Sequence, residues 1–152
     1  MRPVAGWAVA LAVTLSPPLA TAGNGDYNPC KNPGTRRIAI VFARSSGMIG
    51  GDGECKGSVY PSKKTVCEGD TIVWSVINAC DLEEVADVRL DGLDRVTRKC
   101  TVVRRLEVGG AQQIQCRLTL VPENMKQEYE VTGRIGKSRV VVDPELDIRR
   151  PR

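Results

Sequence analysis

The chain has 152 residues, 41% of them hydrophobic and 26% charged, a length that suits one domain and a balance that excludes wholesale disorder. Lysine and arginine number 22 against 18 acids, too mild an excess to mark a nucleic-acid binder. Histidine is absent from the sequence, which removes the Ser-His-Asp and Cys-His catalytic pairs and every His-ligated metal site.

Residues 1–22 read as a secretory signal peptide. Arg2 is the charge of the n-region, and Val4 to Leu15 is an uncharged, mostly apolar run containing Trp7. Pro17 and Pro18 then break any helix before Ala20-Thr21-Ala22, a cleavage site of the A-x-A type. The run is roughly 12 residues long, short of the ~20 that a membrane span needs, so no span is expected after cleavage. The division that follows is a signal peptide 1–22, a turn-rich segment 23–37, a single β-sandwich domain 38–148 and a basic tail 149–152, expected to fray. The compartment expected is the periplasm or the extracellular space.

All six cysteines, Cys30, Cys55, Cys67, Cys80, Cys100 and Cys116, lie beyond the signal peptide. An even count in an exported chain predicts disulfides, although spacing alone does not choose among the pairings. Redox dithiols and zinc sites favour close spacings such as C-x-x-C. Here the nearest neighbours, Cys55 and Cys67, are twelve positions apart.

Taken in chain order, 23–37 is rich in Gly, Asn and Pro and is turn chemistry. Ile38 to Phe42 is an apolar run of strand length, followed by a glycine-rich loop over 47–57 with no phosphate-cradle pattern. Val59 to Val66 leads to the turn Glu68-Gly69-Asp70, which launches a strong strand, Thr71 to Ile77. Its alternation predicts Ile72, Trp74 and Val76 on the core face.

Over 81–94 the pattern is mixed. Leu82, Val85, Ala86 and Leu93 partly fit a helical stripe, while Val85, Val88 and Leu90 fit a strand with an irregularity. The strand reading is preferred for Val85 to Leu90, and a helical turn at Leu82 to Val85 stays open. The acids Asp81, Glu83, Glu84, Asp87, Asp91 and Asp94 lack the order of a calcium loop and read as a solvated rim.

Cys100–Val108 and Gln112–Val121 are expected to form a hairpin across Gly109-Gly110-Ala111. This register sets Leu106 opposite Ile114, Val102 opposite Leu118 and Cys116 opposite Arg104. Cys100 then sits four residues further along, ~13 Å at strand rise, so a Cys100–Cys116 bridge is disfavoured. Glu128 to Ile135 and Ser138 to Val142 form a second hairpin across a II′ turn at Gly136-Lys137, with Arg134 opposite Arg139 on an exposed face. Leu146 and Ile148 continue the β character. The total is seven or eight short strands, which predicts an all-β, disulfide-stapled antiparallel β-sandwich.

Two stretches resemble the cupredoxin-like family. Val59-Tyr60-Pro61 followed by Val66-Cys67-Glu68-Gly69-Asp70-Thr71-Ile72-Val73-Trp74-Ser75-Val76-Ile77-Asn78 looks like its "v…GDtVvW…N" segment. Tyr129-Glu130-Val131 through Gly136 to Val142-Asp143-Pro144-Glu145-Leu146-Asp147-Ile148 looks like the closing hairpin and "DP-x-I" ending of small bacterial members. The resemblance implies a cupredoxin-like, Greek-key sandwich. The family's copper site does not carry over. A blue-copper centre takes two His and a Cys thiolate, and Asn78-Ala79-Cys80-Asp81 falls near where a first His ligand is expected.

No catalytic, cofactor-binding or metal-ligating residues are therefore assigned, and no cofactor is expected. Arg89, Arg95, Arg98, Lys99, Arg104 and Arg105 are interleaved with acids and read as a mixed-charge face, with no nucleic-acid partner expected. The function expected is a non-catalytic binding or interaction module for an unknown protein or small-molecule partner. The alternative is cysteine-based redox or soft-metal handling, which requires an exposed free thiol or a labile bridge.

Overall fold

The computed structural model describes residues 30–44, 53–98, 100–119 and 121–151; the signal-peptide expectation and most of the expected glycine-rich loop lie outside the described residues. The strands are β1 (Thr35–Arg44), β2 (Cys55–Tyr60), β3 (Lys63–Cys67), β4 (Thr71–Ala79), β5 (Val85–Asp91), β6 (Thr97–Arg98), β7 (Val103–Leu106), β8 (Ala111–Leu118), β9 (Met125–Glu128), β10 (Glu130–Ile135), β11 (Ser138–Val142) and β12 (Glu145–Arg149). They form a five-stranded sheet in the order β2-β1-β4-β8-β6, a four-stranded sheet β11-β10-β5-β7 and a three-stranded sheet β3-β12-β9. The chain is all-β and sandwich-like, with twelve described strands where seven or eight were expected. The surplus is short pieces such as β6 and β9, too brief to show a period in sequence.

The strand pairing is mixed, which corrects the wholly antiparallel expectation. β1 runs parallel to β4 and β12 parallel to β3, while the other ladders are antiparallel. β1 starts at Thr35, inside the segment expected to be turns, because Thr35, Arg36 and Arg37 pair with Thr71, Ile72 and Val73. Cys55–Tyr60, partly assigned to the glycine-rich loop, is an edge strand, and its Gly57 faces Phe42.

The core face of β4 is as the alternation predicts. Ile72, Trp74 and Val76 are fully buried and join Ile38, Ile40 and Phe42 of β1, Ile114 and Leu118 of β8, Val131 and Ile135 of β10, and Leu146 and Ile148 of β12 in one cluster. Residues 81–84 are not helical, and β5 begins at Val85. The irregularity expected there is a bulge. The ladder between β10 and β5 shifts register between Thr132 and Arg134, and Asp87 takes a φ of 53°, a left-handed conformation that Asp tolerates better than most residues.

The hairpin register expected for 100–121 is not the one adopted. Thr97 and Arg98 pair with Leu118 and Arg117 of β8, and the Thr101 amide donates to the Gln115 carbonyl. The chain then leaves that sheet, and β7 pairs with β5 in the other one. Val103 and Leu106 are buried while Val102 is 62% exposed, so the stretch does not keep the two-residue period that the expected register assumed. As a result Cys100 lies beside Cys116, their Cα atoms 4.3 Å apart, and the two are bridged. The other pairs are Cys30–Cys67 and Cys55–Cys80.

The closing hairpin keeps its expected register, with Arg134 opposite Arg139 and Ile135 opposite Ser138, and Gly136 has the positive φ, 56°, of the first position of a II′ turn. Each arginine takes an acid, Asp87 for Arg134 and Glu130 for Arg139, which relieves their facing charges. The first two residues of the tail expected to fray are tied down. Arg149 is the last residue of β12, and Arg150 donates to Asn124 Oδ1 and the Pro122 carbonyl.

Candidate functional site

β4 places two buried polar residues at opposite ends of one strand. At its N-terminal end, Asp70 has no solvent exposure. Its carboxylate accepts from the Gly34 amide at 2.6 Å, Arg36 Nε at 2.7 Å and the Cys67 amide at 2.8 Å. A charge out of water needs such a set of donors. This one fixes the turn before β4 to the entry of β1 and to the Cys30–Cys67 bridge.

At the other end Asn78 is equally buried. Its Nδ2 donates to the carbonyls of Glu83, Leu106 and Glu107 at 2.9, 3.1 and 3.2 Å, and its Oδ1 accepts from the Cys80 amide at 3.0 Å. Its backbone bonds Gly109 and Gly110 in the tight turn before β8. Asn78 is a clamp that joins two connections, the one between β4 and β5 and the one between β7 and β8, and Cys80, two residues on, is held to Cys55.

The sequence resemblance leads a first copper ligand to be expected near Asn78-Ala79-Cys80-Asp81. They do not fit that group. The Asn78 amide is committed to the backbone, Cys80 is oxidised, and the sequence supplies no imidazole. Among the described residues no three His, Cys, Asp or Glu side chains gather in a way that could hold a metal ion. All six cysteines are paired, so none offers a thiolate.

Two acids of the segment are in ion pairs, Glu84 with Arg105 at 2.6 Å and Asp87 with Arg134 at 3.0 Å, and Asp91 accepts a hydrogen bond from Thr132 Oγ1 at 3.3 Å. The expected basic run is split between the sheets. Arg95 lies in the turn before β6 and Arg98 in β6, whereas Arg104 and Arg105 belong to β7 and Arg89 to β5.

In the core, Trp74 Nε1 donates to Tyr129 Oη at 3.0 Å, with the two rings edge-to-face. Burial pushes the Tyr129 phenol up to about 12, although the Trp74 hydrogen bond acts the other way. On the surface, hydrogen bonding to Glu145 raises Lys63 and hydrogen bonding to Asp147 raises Arg149. Asp70 and Asn78 were missed as buried hubs by sequence reasoning. Their signal is positional, a polar residue immediately before an apolar strand and another at its end.

No family model and no curated protein matches the sequence. Solved structures to which the chain is similar include multicopper oxidases from Pediococcus acidilactici (10% identity, TM-score 0.43, 80% of this chain and 27% of that one) and Pseudomonas thermotolerans (10% identity, TM-score 0.42, 78% and 30%). Another is a multicopper oxidase variant from Aquifex aeolicus (8% identity, TM-score 0.41, 76% and 29%). These are proteins of cupredoxin-like fold, the family that the two sequence segments resemble. The chain spans less than a third of their length.

Among the described residues no helix is long and apolar enough to cross a membrane.

Proposed function

We propose that the chain is an exported, non-catalytic cupredoxin-like β-sandwich that serves as a binding or interaction module for a protein or small-molecule partner. The observation that carries this reading is the structural use of Asn78 and Cys80, whose side chains are spent holding loops together in the segment where the sequence resemblance would lead a metal ligand to be expected. Residues 1–22 support export through their signal-peptide pattern, and three disulfides suit an oxidising compartment.

The test is the intact mass of the full chain expressed with its own N-terminus, alkylated before and after reduction. A mass that begins near Gly23, with no label before reduction and six labels after it, is expected. A product that retains residues 1–22 overturns the export reading. Two or more labelled thiols in the native protein overturn the structural reading of the cysteines and favour redox or soft-metal chemistry. A blue absorbance band on adding one equivalent of copper(II) overturns the reading that the fold lacks a type 1 site.

A further inference from the structure

Gly69, Arg95, Arg98, Arg117, Leu118 and Thr119 line a groove of about 510 Å³, and no carboxylate is among these lining residues. Among the described residues none of the three arginines is in an ion pair. By contrast Arg36, Arg105, Arg134, Arg139, Arg149 and Arg150 each face an acid. Arg98 and Arg117 are also register partners, directly opposite each other across the ladder between β6 and β8. Like charges so placed repel. The second facing pair in the fold, Arg134 and Arg139, is neutralised by Asp87 and Glu130.

The backbone that carries these charges is fixed. Leu93, Val96 and Thr97 are buried on either side of Arg95. The Leu93 carbonyl accepts from the Val96 amide, the Thr97 amide and Thr97 Oγ1. The Thr119 amide donates to the Val96 carbonyl and the Leu118 amide to the Asp70 carbonyl. The Cys100–Cys116 bridge follows the arginine pair along the same two segments and keeps Arg98 beside Arg117. Gly69, with a φ of 82°, turns the chain at the groove wall without a side chain. The charges therefore meet on a scaffold that needs little ordering when a ligand arrives.

We propose that this groove is an anion-binding site that takes a phosphate or sulfate group, free or as a monoester of a small molecule. A guanidinium presents a planar fork of donors that matches two oxygens of a tetrahedral oxyanion. Three such forks with no competing carboxylate favour a tetrahedral oxyanion, which offers three or more oxygens, over a single carboxylate. The volume lies in the range of small-ligand pockets, which leaves room for the group that bears the anion. This inference does not depend on export or on the absence of catalysis.

The test is calorimetric titration of the full chain with inorganic phosphate, inorganic sulfate, glucose 6-phosphate and glucose 6-sulfate, with ionic strength held constant by sodium chloride. The expected result is saturable binding that R98Q/R117Q weakens at least tenfold and that R104Q, at an exposed position of β7, leaves unchanged. R117K is expected to fall between, because it keeps the charge and loses the fork. Melting curves provide a second readout. In chloride the double variant should melt no lower than the parent, since it removes a repulsive pair, and the upward shift that phosphate gives the parent should vanish. An ester that binds tighter than the inorganic anion identifies a monoester ligand, and equal affinities identify the free anion. Equal affinity in the parent and R98Q/R117Q, or binding in the parent that chloride of the same ionic strength abolishes, overturns the proposal.

Discussion

Tyr129 carries its hydroxyl into the apolar interior and gives Trp74 Nε1 its acceptor. The folded protein holds the phenol proton to about pH 12, against 10.0 for the free side chain. This contribution to stability is complete below pH 10 and is lost as pH rises toward 12, because the unfolded chain gives up the proton first. Over that window the parent should lose about 2–3 kcal/mol that Y129F does not lose, read from urea melts at stepped pH. At pH 7, Y129F should itself cost about 1–3 kcal/mol by leaving a buried indole N–H without an acceptor. N78A strips partners from three carbonyls and one amide and should lower stability by about 3 kcal/mol in the same assay. D70N, which removes the charge facing Arg36 and two backbone amides, should cost about 2–4 kcal/mol. The packing role of Trp74 was legible in the sequence, because alternation along a single strand decides it. The roles of Asp70 and Asn78 were not, because their partners at Gly34 and Leu106 are brought near only by tertiary folding.

Among the elements, Phe42 of β1 shows how two sheets approach through glycine. A Cβ at Gly133 of β10 would stand 2.9 Å from Phe42 Cζ, and one at Gly57 of β2 would stand 3.0 Å from Val140 and 3.3 Å from the same ring. G133A should therefore overpack this contact and cost about 1–3 kcal/mol, seen as a lower midpoint in urea with an unchanged slope. The register and turn of the closing hairpin were legible, since its turn residues and apolar faces act within a few positions of each other, although Glu128, expected in its first strand, ends β9 and pairs with β12. The segment from Thr97 to Leu106 was not. Its apolar residues serve two different sheets, so the period that fixes register is broken at Val102, which faces solvent. The same break hid the pairing of Cys100 with Cys116 and the meeting of Arg98 with Arg117.

For the molecule as a whole, three disulfides supplement a core with few aromatic side chains. They close loops of 37, 25 and 16 residues. Each should contribute about 3–4 kcal/mol on the chain-entropy estimate, so full reduction should lower the thermal midpoint far more than any single substitution above. Scanning calorimetry with and without reductant measures this directly. The β class and the disulfide-bonded state of the cysteines were legible from turn spacing, alternation and parity. The two parallel pairings were not, because nothing local in β1 or β12 announces a partner so distant in the chain.

The chain enters the described domain at Cys30 and leaves it beside Arg149, and these two ends meet: the Cys30 disulfide sulfur lies 3.9 Å from the Arg149 carbonyl, and the Glu68 amide bonds the same carbonyl. Asn78 and the two connections it joins stand at the far end of β4, ~25 Å away at strand rise. A surface, bead or fusion partner joined directly before Cys30 or directly after Arg149 therefore grips the same pole and leaves the same loops pointing outward. The pole it grips is the one that bears Gly69 and its neighbouring arginines, so a bulky attachment at either of these two positions crowds that groove and a slender linker leaves it open.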